Sequence, residues 1–288
     1  MNVIVTGGAG FIGSNLVDKL IDQSHNVLVI DNFVTGYRRN LNPKATLWRD
    51  GGDLLDFFKY PEDMPDKVDI VFHLAALARI EPSFEKPVEN YLANSTGTII
   101  ALEIARKYCS RLIYAGSSTA CSDVFLNPYA FFKWTGEQHC RLYNRVYGLS
   151  TTIARFFNVY GPRQKEDGNY ASVLGIWSKQ YRNKEPLTIT GDGEQRRDFT
   201  HVDDIVNGLL AISNWFFSTC DIFNLGTGKN YSLNEVAKMF DGAGVKYIPK
   251  RPGEAQESLA DIQKSIDILD WRPKKCLTEY IAATIKSC

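Results

Sequence analysis

The sequence predicts an α/β fold: a doubly wound parallel sheet with a smaller α/β lobe attached to it. Two observations carry this prediction. A glycine-rich turn joins the first apolar strand to an amphipathic helix, and strands then alternate with helices as far as residue 157. Such alternation with short connections is typical of a parallel sheet covered by helices on both faces. Beyond residue 157 the chain becomes more polar and irregular, which indicates the second lobe.

The first element is a short apolar strand, residues 2–6, followed by Gly7, Gly8, Gly10 and Gly13 at the start of a helix. Glycines at this turn let backbone N–H groups approach a pyrophosphate, and the helix N-terminus adds a partial positive charge. The alternative is a glycine-rich surface turn, which the flanking strands and helix disfavour. The turn therefore predicts a dinucleotide-binding domain of the Rossmann type.

The second strand ends on Asp31, eighteen residues after Gly13, where a carboxylate would bind the ribose hydroxyls of the cofactor. NAD is preferred over NADP because Asp31 would repel a 2′-phosphate and Asn32 offers no cation. Arg38 and Arg39 are near enough in sequence to keep NADP as the alternative.

The remaining elements follow from apolar periodicity. We predict strands at 68–75, 111–115 and 150–157 and helices at about 88–107 and 129–147. The first domain is expected to comprise residues 1–157 plus roughly 199–227. The second lobe is expected to comprise 158–198 plus 228–288.

Composition excludes several classes of protein. Lys plus Arg and Asp plus Glu both total 33, which argues against a nucleic-acid or membrane-surface role. No apolar run approaches eighteen residues, so no transmembrane helix is expected. The six cysteines form no C-x-x-C pair and no metal-ligand spacing, so we expect reduced thiols, no metal and a cytoplasmic protein. The first strand begins at residue 2 and leaves no room for a signal peptide.

Ligands of parallel sheets bind at the carboxyl ends of the strands. Three groups of polar residues are candidates for such a site, because they follow predicted strands or share one helix face. They are Ser117, Ser118 and Thr119; Tyr129 and Lys133; and Arg155, Asn158 and Arg163. A tyrosine four residues before a lysine shares its helix face. A nearby ammonium and a nicotinamide ring would favour the phenolate, which could then remove a proton from a sugar hydroxyl. The alternative is an ordinary helical pair in which the tyrosine packs.

These motifs together resemble the extended short-chain dehydrogenase/reductases. The resemblance is carried by the segments 6–13 (TGGAGFIG), 53–54 (DL), 73–76 (HLAA), 129–133 (YxxxK) and 155–163 (RFFNVYGPR). The later segments 191–199 (GDGEQRRDF), 224–228 (NLGTG) and 251–254 (RPGE) narrow it to the nucleotide-sugar branch. Within that branch the chain most resembles the UDP-glucose and UDP-N-acetylglucosamine 4-epimerases.

The resemblance implies a role for each matching residue. The catalytic residues would be Ser118, Tyr129 and Lys133. The NAD site would comprise Gly7, Gly10, Phe11, Ile12, Gly13, Asp31, Asn32, Asp53, Leu54, Ala75, Ala76, Asn94, Tyr129 and Lys133. The UDP-sugar site would comprise Arg79, Ser118, Thr119, Asn158, Thr188, Arg197, Arg251 and Ser258. Among these, Asn158, Arg197 and Arg251 would hold the diphosphate, and Thr188 would face the uracil.

The implied reaction is C4 epimerisation of a UDP-sugar through a transient 4-keto sugar. Dehydratases and decarboxylases of this branch carry an acidic residue just after the Ser/Thr, whereas here Ala120 follows Thr119 and Asp123 comes later. Only ten residues separate Ser118 from Tyr129, fewer than the family usually has, which predicts a more open site. The alternatives are another nucleotide-sugar oxidoreductase (a 4-keto reductase or dehydratase) and a protein that binds NAD without turnover.

Two further expectations rest on the resemblance. Ser258 aligns with a position that gates the sugar pocket by size, and a small side chain there would admit a 2-acetamido group. UDP-GlcNAc and UDP-GalNAc are therefore favoured, with UDP-Glc and UDP-Gal also accepted. The helices 88–107 and 129–147 are those through which the family dimerises as a four-helix bundle, so we expect a homodimer.

Overall fold

The predicted parallel sheet is present and has seven strands in the order β11-β6-β5-β4-β1-β2-β3, every neighbouring pair parallel. The computed structural model describes residues 1–60, 64–215 and 219–287. The strands of the sheet are β1 (Asn2–Thr6), β2 (Asn26–Ile30), β3 (Thr46–Leu47), β4 (Ile70–His73), β5 (Arg111–Ser117), β6 (Thr151–Phe156) and β11 (Asp221–Leu225). The fold class predicted from the sequence is thus confirmed.

Helices cover both faces of this sheet. They are α1 (Phe11–Asp22), α2 (Ile80–Glu85), α3 (Pro87–Tyr91), α4 (Gly97–Lys107), α5 (Pro128–Tyr147), α7 (Val202–Asn214) and α9 (Gln263–Leu269). One apolar core lies under α1 and α7, and a second lies under α4 and α5. The strands read as continuous apolar runs because the sheet is buried on both faces.

The two longest predicted helices are both present, and one of them contains an irregularity. Residues 88–107 form α3 and α4 with a π-helical turn, Leu92–Thr96, between them. The second forms α5, capped at its start by the Asn127 side chain, which accepts a hydrogen bond from the Ala130 N–H at 2.7 Å. Gly148 ends it in the left-handed conformation, which favours glycine.

The order of the strands creates the binding crevice. From β1 the sheet grows towards β2 and β3 on one side and towards β4, β5, β6 and β11 on the other. The connections that leave β1 and β4 therefore diverge, and a crevice opens at the carboxyl ends of these strands. The turn after β1, the turn after β4 and the end of β5 all lie at this crevice.

A smaller α/β lobe lies over the crevice and has an apolar core of its own. Its elements are α6 (Val173–Arg182), β8 (Leu187–Thr190), β9 (Arg196–Arg197), β12 (Tyr231–Ser232), α8 (Leu233–Ala237), β13 (Val245–Ile248) and α10 (Leu277–Lys286). The short pair β7 (Val159–Tyr160) and β10 (Thr200–His201) links this lobe to α7. Trp271, although within the predicted second-lobe segment 228–288, is buried in the core under α1 and α7. The proposed residue boundaries of the two lobes stay a prediction.

Two features are absent from the described residues. None of the helices in those parts of the chain has the length and apolarity needed to cross a bilayer. Over the same residues, no three His, Cys, Asp or Glu side chains are grouped so that they could hold a metal ion.

Candidate active site

One continuous cavity of about 940 Å³ lies at the carboxyl ends of the strands, between the sheet and the smaller lobe. It brings together most of the residues predicted from the sequence. They are Gly7, Gly10, Phe11, Ile12, Gly13, Asp31, Asn32, Asp53, Leu54, Ala75, Ala76, Arg79, Ser118, Thr119, Tyr129, Lys133, Asn158, Thr188, Arg197 and Arg251. Asn94 and Ser258 are not among the residues that line it.

The glycine turn has the geometry that a pyrophosphate requires. Gly7 has φ +72°, and a Cβ added to Gly13 would lie 2.1 Å from the Gly7 carbonyl oxygen. Side chains at these two positions would therefore force the backbone of the turn apart. Gly10 precedes α1 without any side-chain cap, so the first N–H groups of the helix stay available to an anion. The turn thus fits the diphosphate of a dinucleotide.

Asp31 holds the cofactor side of the cavity in shape. Its carboxylate accepts hydrogen bonds from the N–H groups of Ala9 at 2.9 Å and Phe33 at 2.8 Å, while burial raises its pKa. Arg38 donates to the Asp50 carboxylate at 2.6 Å, and neither Arg38 nor Arg39 lines the cavity. This arrangement fits NAD, whose ribose carries hydroxyls rather than a 2′-phosphate.

The turn after β4 is fixed from beneath by buried polar residues. His73 is 1% exposed, and burial lowers its pKa to about 3, so its ring is neutral. Its Nδ1 lies 2.7 Å from the Thr6 hydroxyl, which also accepts the Ala75 N–H at 3.2 Å. Asn94, in the π-helical turn, binds both backbone groups of Leu77, at 3.0 and 3.1 Å. Asn94 therefore supports the cavity wall from behind.

Tyr129 and Lys133 lie one turn apart on α5, and both line the cavity. Lys133 is 3% exposed, and its Nζ lies 4.2 Å from the centre of the Tyr114 ring. Burial lowers the Lys133 pKa to about 8, although the charge of Glu137, one turn further along the helix, acts in the opposite direction. This lysine can therefore exchange its proton near neutral pH.

The environment of Tyr129 differs from the one expected. Burial raises the Tyr129 pKa, and the groups that act against burial are the Ser117 side chain, through a hydrogen bond, and the Arg79 charge. Lys133 was expected to lower this pKa, but the charges that act on the Tyr129 phenol include that of Arg79 and not that of Lys133. Arginine keeps its charge throughout.

Ser117 was named from the sequence among the strand-end hydroxyls but was given no role there, whereas the structure brings its side chain to Tyr129. Strand β5 extends to Ser117, two residues beyond the predicted end, and Ser117 pairs with Phe156 of β6. Its buried hydroxyl accepts hydrogen bonds from both the N–H and the hydroxyl of Thr119, at 3.2 and 2.9 Å. The run of three hydroxyl residues was the only signal, and the sequence could not show which of them reaches Tyr129.

Two of the candidate cations at the strand ends, Arg155 and Arg163, form ion pairs with carboxylates instead of lining the cavity. Arg155 forms a buried ion pair with Glu137 through bonds of 2.8 and 2.6 Å. Arg163 pairs with Asp18 of α1 at 2.6 Å. Neither lines the cavity.

The shortened segment before Tyr129 contacts the smaller lobe directly. The Asn127 side chain donates to the Gly253 carbonyl at 2.9 Å. Asp123 is exposed, and its carboxylate accepts the Phe125 N–H at 2.9 Å, which caps a short 3₁₀ helix, Val124–Leu126. This carboxylate does not line the cavity.

The smaller lobe contributes the cations at the other end of the cavity. Arg197 lies 3.5 Å from a Glu254 carboxylate oxygen, and Arg251 lies 3.3 Å from one of Glu81. The backbone of Asn158 has φ +27°. Its side-chain amide donates to the Asp198 carbonyl at 3.0 Å and lies 3.4 Å from the Ser258 hydroxyl. Ser258 therefore touches a cavity residue without lining the cavity itself.

The sequence matches the profile of the NAD dependent epimerase/dehydratase family over residues 3–226. A provisionally named UDP-glucose 4-epimerase of Methanocaldococcus jannaschii is 37% identical over 98% of this chain and 97% of its own. The UDP-glucuronic acid decarboxylase 1 of Arabidopsis thaliana is 33% identical over 97% of this chain and 68% of its own.

Among solved structures, the UDP-glucose 4-epimerase of Thermotoga maritima with UDP-glucose is 33% identical and superposes with a TM-score of 0.89, covering 99% of this chain and 98% of that one. The profile spans most of the sheet domain, and the relatives span nearly the whole chain. The matched family is NAD dependent, and the glycine turn and Asp31 of this chain fit that cofactor. The chain therefore belongs to the NAD dependent epimerase/dehydratase family, within the extended short-chain dehydrogenase/reductases.

Proposed function

We propose that this protein epimerises C4 of a UDP-hexose or UDP-N-acetylhexosamine through a transient 4-keto sugar. The observation that carries the proposal is that Tyr129 and Lys133 line one wall of the cavity, with the Ser117 side chain hydrogen-bonded to the Tyr129 phenol. That wall shares one cavity with the glycine turn and with Arg197 and Arg251. A base for a sugar hydroxyl, a dinucleotide site and a diphosphate site are thus combined.

Each catalytic residue has a distinct role. Tyr129 removes the proton from O4, and Ser118 orients that oxygen. Ser117 holds the phenol, and its hydrogen bond favours the phenolate. Lys133 binds the nicotinamide ribose. NAD, held by the glycine turn, Asp31 and Lys133, would supply reversible hydride transfer at C4, so that no net oxidation results.

The residues that follow the serines favour epimerisation over dehydration or decarboxylation. Relatives that carry out those reactions have an acidic residue just after the Ser/Thr, and residues 119–122 contain none. Asp123 is exposed and caps a short helix instead. A 4-epimerase needs only one base, which Tyr129 provides.

The smaller lobe would bind the nucleotide. Asn158, Arg197 and Arg251 would hold the diphosphate, because the planar guanidinium forms paired hydrogen bonds with phosphate oxygens. Thr188 on β8 would face the uracil. UDP-GlcNAc and UDP-GalNAc are proposed beside UDP-Glc and UDP-Gal because Ser258, a small residue, aligns with the position that gates the sugar pocket by size. Its hydroxyl lies 3.4 Å from the cavity residue Asn158.

The assembly and location are also proposals. Exposed apolar residues on α3 and α5, such as Val88 (68% exposed) and Leu142 (52% exposed), support a homodimer through a four-helix bundle. A monomeric mass by light scattering would contradict it. The free thiols of the five described cysteines support a cytoplasmic location.

The test is proton NMR of the purified protein with NAD and, separately, UDP-Glc and UDP-GlcNAc. We expect the anomeric signal of the galacto epimer without net release of NADH. Net NADH release, or no epimer from any UDP-sugar, would contradict the proposal. The variant Ser258→Tyr should suppress conversion of the acetamido sugar more than that of the plain hexose, and equal loss of both would remove the role given to Ser258.

A further inference from the structure

The start of α5, which carries the proposed base Tyr129, is held by two buried side chains. The Tyr129 N–H donates to the Ser83 hydroxyl of α2 at 3.2 Å, and the Ala130 N–H donates to the Asn127 side-chain oxygen at 2.7 Å. Pro128, the first residue of the helix, has no N–H to satisfy. Ser83 and Asn127 therefore fix where α5 begins and where Tyr129 stands at the cavity.

Asn127 makes a second contact that a helix cap does not need. Its side-chain nitrogen donates to the Gly253 carbonyl at 2.9 Å, so one amide binds α5 through its oxygen and the smaller lobe through its nitrogen. Gly253 has φ +73°, and a Cβ added there would lie 2.9 Å from the Leu126 carbonyl oxygen and 2.9 Å from the Phe84 ring. The chain around Gly253 thus packs directly on the segment that leads into α5.

The same loop of the smaller lobe, residues 251–254, carries a cation of the cavity. Arg251 lines the cavity, and a single residue separates it from Gly253. Arg251 also lies 3.3 Å from Glu81 of α2, the short helix that carries Ser83. A diphosphate that bound Arg251 would therefore hold the loop, and with it the Gly253 carbonyl that Asn127 contacts.

We propose that Asn127 is a positioning residue that links the diphosphate site to the base Tyr129. A nucleoside diphosphate would hold the loop 251–254, and the hydrogen bond from Asn127 to Gly253 would then fix the start of α5. Binding energy from a part of the ligand that does not react would thus help to place the phenol at the reacting hydroxyl. This inference rests on the proposed function, because that function gives the diphosphate to Arg251.

The experiment measures amide hydrogen exchange by mass spectrometry in the NAD-loaded protein, without UDP and with UDP at saturation. In the wild type, UDP should slow exchange both in the loop 251–254 and at the start of α5, residues 129–133. In Asn127→Ser the slowing should persist in the loop and become about fivefold smaller at residues 129–133, the equivalent of one ordinary hydrogen bond. Serine still caps a helix, but it has no amide with which to reach Gly253.

Asn144→Ser is the matched control, near the other end of the same helix. The Asn144 side chain donates to the Leu149 carbonyl at 2.9 Å, a bond of the same kind and length. Its loss should leave the UDP response of residues 129–133 unchanged.

Gly253→Ala is the second variant, in case Asn127→Ser does not fold. The new Cβ would press on the Leu126 carbonyl and move the loop away from α5 without altering the helix itself. At saturating UDP, the response of residues 129–133 should therefore also become smaller in this variant.

Turnover is the second readout, because a residue that only capped the helix would change stability alone. Asn127→Ser should melt within about 4 °C of the wild type and bind NAD equally well. Its kcat should fall about tenfold, because the phenol is less well placed. An unchanged kcat would make Asn127 a helix cap and no more.

The outcomes distinguish this inference from the proposed function. If UDP slowed exchange in the loop but not in α5, or slowed it in α5 equally in the wild type and in Asn127→Ser, the link would be refuted and the epimerase would stand. If UDP slowed exchange in neither segment, the diphosphate role of Arg251 would be refuted together with the link. Coupled slowing without conversion of any UDP-sugar would support the link and refute the epimerase.

Discussion

The two ends of the cavity are built in different ways. At the cofactor end the site is made by backbone: glycines without side chains, strand ends and an uncapped helix start. At the substrate end it is made by long side chains, three arginines and a run of hydroxyls, on loops and short strands. The spacing of glycines in the sequence predicts the backbone geometry of the turn. The partners of long side chains, in contrast, are known only from the folded structure.

The largest effect is expected at the cofactor end. In Gly13→Ala the new Cβ would lie 2.1 Å from the Gly7 carbonyl, so the turn must open. We expect loss of NAD binding and destabilisation by about 3 kcal/mol or more. The checks are a fluorescence titration with NAD and a denaturant melt.

Gly244→Ala in the smaller lobe is the matched control. Its Cβ would meet nothing nearer than Pro186 at 3.7 Å, and we expect a change within about 0.5 kcal/mol. If Gly13→Ala bound NAD normally, the turn would have adjusted to the new side chain. The backbone at the cofactor end would then not be as rigid as the contrast between the two ends requires.

The second effect is on turnover. Tyr129→Phe removes the base, so kcat should fall by about 10²–10⁴-fold while NAD binding is kept. Tyr147→Phe, at the exposed end of the same helix, is the control and should leave kcat unchanged. If Tyr129→Phe kept more than a tenth of the activity, another group would have to be the base.

Much of the fold was predictable because the periodicity of apolar residues and the spacing of strands and helices follow directly from it. The alternation of strands and helices predicted a parallel sheet, and the profile and the strand order confirm it. The interruption of the long helix at Leu92–Thr96 was not predictable. Within it the Asn94 side chain binds the backbone of Leu77, which belongs to a different turn of the chain and is not indicated by local spacing.

The chemistry of the site was predictable only as residue types. The spacing of Tyr129 and Lys133 indicated a shared helix face, but not that burial would lower the Lys133 pKa to about 8. Arg155 and Arg163 looked equivalent to Asn158 in sequence, and only the structure shows their carboxylate partners. Such pairings join residues far apart in the chain, so no local pattern records them.

The smallest effect concerns which hydroxyl serves Tyr129. The hydrogen bond from Ser117 lowers the Tyr129 pKa, so Ser117→Ala should raise that pKa. The base works deprotonated, and the rising limb of kcat/KM against pH should therefore move to higher pH. At neutral pH we expect kcat/KM to fall about fivefold, the equivalent of one ordinary hydrogen bond.

Ser118→Ala is the matched comparison, because the two serines are adjacent and the substitution is identical. If Ser118 orients O4, its loss should lower kcat at every pH and leave the rising limb in place. The two roles would be exchanged if the rising limb of kcat/KM moved to higher pH in Ser118→Ala and stayed in place in Ser117→Ala. The phenol would then meet the hydroxyl at the start of the 3₁₀ helix, Ser118–Cys121, rather than the one that ends β5. In that case the spacing of the sequence would also account for the hydroxyl that meets Tyr129, and the contrast between the two ends would rest on the arginines alone.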